Sequence, residues 1–243
     1  MRELKKIMIV ETKLFLREPG TWLVGVLLPT IVLVVLGLVL APHTPDPALG
    51  GRFIDLFVPS LVVVTLATLG ANALPARLVA YREKGVLRRL ATTPVHPAML
   101  LVVQLVINVA VAVVAVLLLM AVGNVLFDIP LPQQPLGFVA AFLAGMGSLF
   151  ALGLLVAAVA PTSRASAALI APIYLGAMFL GGVYIPRVFL PDFLVRIGVY
   201  APPGVQAMLD AWMGVAPDPI QLAILVAITI VAGAAATVLF RWE

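Results

Sequence analysis

The residue types that most often perform catalysis or bind metals are nearly absent from this chain. It has no cysteine and only two histidines, His43 and His96. The apolar segments described below place these histidines in loops on opposite sides of a membrane, so the two cannot share a metal ion or a catalytic role within one chain. The sequence therefore predicts no metal site.

The chain also lacks the residue patterns that nucleophilic catalysis and nucleotide hydrolysis require. Ser148 ends a Gly-Met-Gly-Ser segment, but no histidine lies in an apolar segment to activate it, and close helix packing is the favoured role of these small residues. No stretch matches the G-x-x-x-x-G-K-[ST] loop, whose backbone N–H groups and lysine hold phosphates. We expect a non-catalytic chain without a cofactor of its own.

Five uncharged polar residues inside long apolar segments are candidates for lining a transport pathway, because polar groups in a membrane face other helices or a cavity. A hydrogen bond to a neighbouring helix is the alternative for each of them. A pathway lined mainly by Leu, Val, Ala and Phe would suit a hydrophobic or amphipathic molecule better than a sugar or an ion. The five residues are Thr65, Thr68, Asn72, Gln104 and Asn108.

The composition indicates that a bilayer surrounds most of the chain. Hydrophobic residues make up 63% of the 243 residues and charged residues 11%, against about half and about a quarter in an ordinary soluble domain. A soluble core of this size could not bury so much apolar surface. Membrane orientation explains the net charge of +4 better than nucleic acid binding does.

Six segments are long and apolar enough to span the hydrocarbon core, which takes about 20 residues in a helix. None contains Asp, Glu, Lys or Arg, and helices satisfy their own backbone groups in lipid. We therefore predict an all-α membrane protein that forms a single transmembrane domain over residues 1–243. The predicted spans are residues 22–41, 56–76, 98–127, 136–160, 165–182 and 220–240.

Residues 1–20 precede the first span and have a different pattern. Their apolar side chains fall near one helical face while the lysines and arginines lie mostly elsewhere, which predicts an amphipathic helix in the membrane interface. Pro19 and Gly20 would end this helix. A cleaved signal peptide fits less well, because the charged stretch is long and the apolar stretch exceeds the usual length.

The distribution of basic residues predicts the orientation of the spans. Twelve of the fifteen lysines and arginines lie in the N-terminal segment, in alternate connections and after the last span, whereas Arg52, Arg187 and Arg196 lie on the other side. Both termini are therefore predicted to face the cytoplasm.

The outer segment at residues 183–219 is interrupted by prolines and charges, which argue against a seventh span. Two short re-entrant helices that dip into the outer leaflet, joined at the Ala-Pro-Pro-Gly break of residues 201–204, fit this segment better. Its aromatic residues would suit the membrane interface.

Two segments resemble the ABC type-2 (ABC-2) permease family, the membrane subunits of ATP-binding-cassette exporters of drugs, antibiotics, polysaccharides and lipids. In that family the cytoplasmic loop after the second span typically reads Arg-Glu-x-Gly-x-Leu-x-Arg-Leu and then Thr-Pro, and residues 81–97 are similar to it. Residues 179–186, Phe-Leu-Gly-Gly-Val-Tyr-Ile-Pro, look like the family's outer re-entrant region. The matching loop positions are Arg82, Glu83, Gly85, Leu87, Arg89, Leu90, Thr93 and Pro94.

The resemblance implies a permease that works with a separate ATPase subunit in two copies, which would bind ATP and Mg²⁺. A second permease chain, identical or paralogous, would complete the pathway. Residues 81–91 would form a cytoplasmic coupling helix that docks on the ATPase. The alternative is that these charges only fix the orientation, which does not explain an acid at this place. The implied contact residues are Arg82, Glu83, Lys84, Gly85, Arg88 and Arg89.

The predicted function is thus the membrane subunit of an ATP-driven exporter of drug-like or lipid-like molecules, in the cytoplasmic (inner) membrane of a prokaryote. A gradient-driven secondary transporter is the alternative. Such a carrier ordinarily needs an acidic group near the middle of the membrane, and the predicted spans contain no acid. Asp55 and Asp128, near the outer edge, keep this alternative open.

Overall fold

The computed structural model describes residues 2–39, 52–86, 89, 98–185 and 187–240. Within these ranges the chain is helical and has no β-strand, which confirms the prediction of an all-α protein. The end of the first predicted span, both histidines, Arg88 and most of the loop before residue 98 lie outside the described residues.

The helices follow one another with short connections. Two π-helical segments, Leu23–Leu27 and Ala67–Ala73, join α2 to α3 and α4 to α5 without a break, and a 3-10 turn at Arg187–Phe189 lies between α8 and α9. In chain order the helices are α1 Arg2–Arg17, α2 Pro19–Trp22, α3 Leu28–Val39, α4 Phe53–Leu66, α5 Leu74–Glu83, α6 Ala98–Phe127, α7 Pro135–Val159, α8 Ser163–Leu180, α9 Asp192–Tyr200, α10 Val205–Trp212 and α11 Pro219–Leu239.

Five helices within the described residues are long and apolar enough to cross a membrane, and they correspond to the second to sixth predicted spans. The first predicted span corresponds to the apolar helix Leu23–Val39, which is shorter than the other five. The six-span layout therefore stays a prediction. The five long helices are Phe53–Glu83, Met99–Phe127, Pro135–Val159, Ser163–Leu180 and Pro219–Leu239.

The helix that corresponds to the second predicted span is longer than the sequence predicted. A span over residues 56–76 was expected, because Arg77 follows it, but the helix continues over Phe53–Glu83. The Arg77 side chain is only 9% exposed: it donates a hydrogen bond to Glu18 at 2.5 Å and lies 5.2 Å above the ring of Phe15. Pairing with these residues lets a charged side chain remain within the packed helix.

The helix Phe53–Glu83 forms the centre of the structure. Val62, Val63 and Leu69 are among its fully buried side chains, and α3, α7 and α8 pack around it. In contrast, α11 packs mainly on α7 and exposes a largely apolar surface. Lipid chains are as apolar as such side chains, so this surface needs no protein cover in a membrane.

The outer segment forms two short helices, α9 and α10, joined by a turn at residues 201–204, where the sequence predicted the break. Gly204 in this turn has a φ of 75°, which favours glycine. The turn packs against α7 at Gly145, where a Cβ atom would lie 2.0 Å from the carbonyl oxygen of Pro203. Gly145 follows the start of α7 by ten residues, so the turn reaches about 15 Å along that helix.

A chain of polar side chains holds the 3-10 turn to α10. Arg187 Nη2 donates a hydrogen bond to Gln206 Oε1 at 2.8 Å, and Gln206 Nε2 donates to Asp210 Oδ1 at 2.6 Å. Burial lowers the pKa of the Arg187 guanidinium and raises the pKa of the Asp210 carboxyl, and each charge partly offsets the shift of the other. These bonds hold the 3-10 turn against α10.

The predicted topology places residues 84 and 196, both exposed, on opposite sides of the membrane, because three spans separate them. The absence of cysteine makes a direct measurement simple. We expect Lys84→Cys to react with an impermeant maleimide only in inside-out vesicles, and Arg196→Cys only in intact cells. The parent chain is the blank. Labelling of both variants from one side would contradict three crossings between these positions.

The contact at Gly145 predicts a strong effect of a single methyl group. Gly145→Ala would force the turn at residues 201–204 away from α7, and overpacking of this kind costs about 1–3 kcal/mol. The thermal midpoint of the detergent-solubilised protein should fall. Gly233→Ala is the matched control: a Cβ atom there meets no atom within 4 Å, and alanine favours a helix by about 1 kcal/mol. Equal midpoints for both variants would contradict this packing.

Candidate functional site

The loop that follows the second span begins at Lys84 and turns at Gly85. α5 ends at Glu83, and Gly85 has a φ of 67°, in the left-handed region that glycine adopts without strain. The N–H groups of Lys84 and Gly85 donate back to carbonyls of the last turn of α5 at 3.0 Å. Beyond the glycine, residues 86 and 89 are helical, and Arg89 N–H donates to the Gly85 carbonyl at 3.1 Å.

The expected coupling helix at residues 81–91 is therefore divided at Gly85. Residues 81–83 belong to the long second-span helix, and the helical residues 86 and 89 follow only after the glycine. The loop is thus attached directly to the end of the central helix. Residues 87, 88 and 90–97 lie outside the described residues.

Arg82 and Glu83 bind the connection between α7 and α8. Arg82 donates hydrogen bonds to the carbonyl of Ala157, at 3.3 Å, and to the carbonyl of Ala160. The Glu83 carboxylate accepts one hydrogen bond from the backbone N–H of Ser163, at 2.8 Å, and another from the hydroxyl of the same residue. We call these contacts the 82–83 clamp.

The 82–83 clamp matches the charge of each side chain to a helix end. Arg82 binds carbonyls at the C-terminus of α7, where the helix dipole is negative, and Glu83 binds the N-terminus of α8, where it is positive. Both helix ends leave backbone groups without intrahelical partners, and the clamp satisfies three of these groups. The two connections on the predicted cytoplasmic side therefore form one structural unit.

Sequence reasoning assigned Arg82 and Glu83 to contacts with a partner protein and missed these bonds within the chain. A signal for the N-terminus of α8 was present, because Thr162 and Ser163 are residue types that begin helices, and Thr162 Oγ1 indeed accepts from Ala165 N–H at 3.2 Å. The pattern does not indicate that an acid 80 residues earlier lies beside it. The side chains of Lys84 and Arg89 are exposed.

Two of the five candidate pathway residues, Thr68 and Asn72, line a cavity of about 460 Å³ between the start of the first span and the second span. Its walls combine small apolar residues with charged groups near the end of α5. Thr68 also contacts α8, where its hydroxyl lies 3.4 Å from that of Tyr174. We call it the inner cavity, and its polar lining residues are Glu18, Thr68, Asn72, Arg77, Tyr81 and Lys84.

The other three candidates do not line the inner cavity. Thr65 is buried, and its hydroxyl donates to the backbone carbonyl oxygen of Leu61 in its own helix at 3.5 Å. Asn108 donates to the backbone carbonyl of Gln104 at 2.8 Å. The side chain of Gln104 is fully buried and hydrogen-bonds to Glu11 of α1, a residue that the sequence pattern did not single out.

Both π-helical segments contribute to the inner cavity, through Val24 in the first and Thr68 and Asn72 in the second. A π-helical turn is wider than an α-helical turn and often occurs at functional sites. Close packing holds the second segment in place, because a Cβ atom at Gly153 of α7 would lie 2.0 Å from the carbonyl oxygen of Gly70.

Asn72 is the informative residue of this cavity. Its side chain is exposed on the central helix, although most of that helix is buried. An amide group within a span is costly against lipid and faces a cavity or another protein chain. The surface around Asn72 is therefore suited to a second chain or to a water-filled path.

The chain matches one family of known proteins. Residues 2–204 match the model of a family described as ABC-2 type transporter. The match extends from α1 to the turn before α10 and includes both the 82–83 clamp and the inner cavity. No curated protein and no solved structure matches the chain. Within the described residues, no group of three or more His, Asp or Glu side chains is placed to hold a metal ion.

The 82–83 clamp predicts coupled effects at its two ends. Ser163→Ala removes one hydrogen bond to Glu83 and should lower the thermal midpoint of the solubilised protein. In a Glu83→Ala background the same change should have a smaller effect, because its partner is already lost. The control is Arg164→Ala, an exposed neighbour, which should leave the midpoint unchanged. Fully additive effects of the two clamp substitutions would contradict the contact.

Proposed function

Because this chain belongs to the ABC-2 type transporter family and is the membrane-embedded subunit of such a transporter, we propose that it forms the pathway of an ATP-driven exporter for hydrophobic or amphipathic molecules. The observation that carries the proposal is the 82–83 clamp. The clamp joins the family's loop motif to α5, α7 and α8, which belong to helices long enough to span a membrane. A loop that is moved by a partner protein needs such a connection to pass its motion to the spans.

The energy for this transport comes from another chain. The sequence contains no phosphate-binding loop, and ABC-2 membrane subunits normally pair with an ABC ATPase subunit. We propose that two copies of that ATPase bind ATP and Mg²⁺, and that a second permease chain, identical or paralogous, faces the surface around Asn72. The permease itself contributes no catalytic residue.

The proposed motion starts at the loop after Gly85. ATP binding draws the two ATPase subunits together, and the exposed side chains of Lys84 and Arg89 offer charge-assisted contacts to them. The force passes into α5 directly, because the loop continues that helix. It also passes into α7 and α8 through the 82–83 clamp, so that α5, which lines the inner cavity, moves together with these two helices as one body.

The properties of the inner cavity support the proposed cargo. Its volume of about 460 Å³ falls in the range of about 300–1,000 Å³ that is typical of sites for drug-sized molecules. Apolar residues such as Val24, Ala73 and Ala76 form much of its wall, and Thr68 and Asn72 supply neutral hydrogen-bonding groups. An amphipathic molecule satisfies both kinds of surface.

A gradient-driven carrier remains the second candidate from the sequence, but the described residues give it little support. Asp55 forms a bidentate ion pair with Arg52 at 2.9 Å, and the same arginine donates to the carbonyls of Phe127 and Asp128 at the end of α6. These contacts fasten helix ends together near the predicted outer face. The exporter hypothesis places the chain in the cytoplasmic membrane of a prokaryote, with both termini in the cytoplasm.

The first test of this function is purification of the solubilised chain from its native membrane, with mass spectrometry of the proteins that accompany it. We expect an ATPase with a phosphate-binding loop in stoichiometric amount. Arg89→Glu reverses a charge on the proposed docking surface and should reduce that recovery several-fold while insertion into the membrane is retained.

Arg196→Glu makes the same change on the predicted outer side, where the side chain is also exposed, and should recover as much ATPase as the parent. If Arg89→Glu recovered as much ATPase as the parent chain, the proposal that this loop docks on the ATPase would be wrong. A parent chain that carries no ATPase would instead favour the gradient-driven carrier.

A further inference from the structure

The N-terminal helix buries an acidic residue on the face where an interfacial helix normally buries apolar side chains. Glu11 is 7% exposed, and Phe15, one helical turn later, is 3% exposed. Residues four apart lie on one face of a helix, so both side chains point into the protein. Burial of a carboxylate is costly unless hydrogen bonds compensate for the lost water. Its bonding partners therefore reveal its role.

Those partners come from two different spans. The Tyr81 hydroxyl donates to Glu11 Oε2 at 2.8 Å, and Gln104 Nε2 donates to the same oxygen. Tyr81 lies near the end of α5 and Gln104 lies in the first turns of α6. Glu11 thus joins α1 to the helices on either side of the proposed coupling loop.

The same hydrogen bonds continue to the wall of the inner cavity. Gln104 Oε1 accepts from Arg77 Nη1 at 3.5 Å, and Arg77 Nη2 donates to Glu18 Oε2 at 2.5 Å. Glu18, Arg77 and Tyr81 all line the inner cavity. The charged groups that face this network are therefore Glu11 and Glu18 from the N-terminal segment and Arg77 from the second span.

We propose that Glu11 is a positioning residue for transport: it fixes Tyr81 and, through Gln104, Arg77 at the wall of the inner cavity. The N-terminal helix is then a working part of the cavity in addition to a membrane-surface anchor. Tyr81 directly precedes the 82–83 clamp, so displacement of the coupling loop pulls on Glu11. This proposal rests on the proposed function of the inner cavity.

The cysteine-free sequence allows the cavity to be probed with one thiol. Ala76 lines the inner cavity and is exposed, so Ala76→Cys can report its accessibility. Inside-out vesicles from the native membrane, which contain the complete transporter, are treated with a sulfonated maleimide. The labelling rate is measured without nucleotide and with ATP plus vanadate.

In this background Glu11→Leu removes both hydrogen bonds and should change the nucleotide-free labelling rate by at least roughly two- to tenfold, the factor that the free energy of even one hydrogen bond represents. It should also reduce the response to ATP and vanadate. Glu11→Gln keeps one acceptor oxygen and should restore the parental rate in part. Tyr81→Phe removes only the donor hydroxyl and should act in the same direction, with no added effect on top of Glu11→Leu.

Lys13→Gln is the control, because it changes the charge of an exposed side chain on the same helix and should label like the parent. If Glu11→Leu does not assemble, Tyr81→Phe gives the same readout. A parent that responds to ATP while the Glu11 and Tyr81 variants label identically to it would overturn this proposal alone. A parent whose labelling ignores ATP would overturn the proposed function and this proposal together.

Discussion

The unsatisfied ends of α7 and α8 are the constraint on which the proposed mechanism depends. Helix ends leave carbonyl and N–H groups without hydrogen-bond partners within the helix. Here two consecutive side chains of another helix provide those partners. Arg82 binds carbonyls at the end of α7 and Glu83 binds the first N–H and hydroxyl of α8. Because adjacent residues of α5 bind two helix ends, the position of the central helix is fixed relative to both.

The inner cavity follows from that fixed position. The π-helical segment Ala67–Ala73 widens the central helix at the level where Thr68 and Asn72 face the cavity. The close approach of Gly70 to Gly153 of α7 leaves no room for this segment to move toward α7 without moving that helix too. In the proposed mechanism, a rigid wall of this kind would transmit motion from the loop to the cavity, whereas a loosely packed one would absorb it.

Polar groups in an apolar setting are few in the described residues, and several of those near the predicted cytoplasmic side are connected to one another. The network from Glu11 through Gln104 and Arg77 to Glu18 lies beside the 82–83 clamp and shares the helix α5 with it. In low-dielectric surroundings an unpaired member would be costly, so each group specifies the position of the next. This is how α1, which the sequence predicts at the membrane surface, is held in one orientation relative to the spans.

The sequence alone determined the helical class, the apolar segments, the break at residues 201–204 and the loop motif around Gly85, because these features depend on local periodicity and residue type. Local patterns indicate which face of a helix is apolar, but they do not indicate which other helix packs against that face. Only the tertiary structure decided that Arg77 stays inside the span beside Glu18, that Glu83 caps a helix 80 residues away, and that Thr68 and Asn72 line the cavity while Gln104 binds α1. Each of these outcomes depends on contacts between residues that are far apart in the sequence. Only the folded arrangement of the helices brings such residues together.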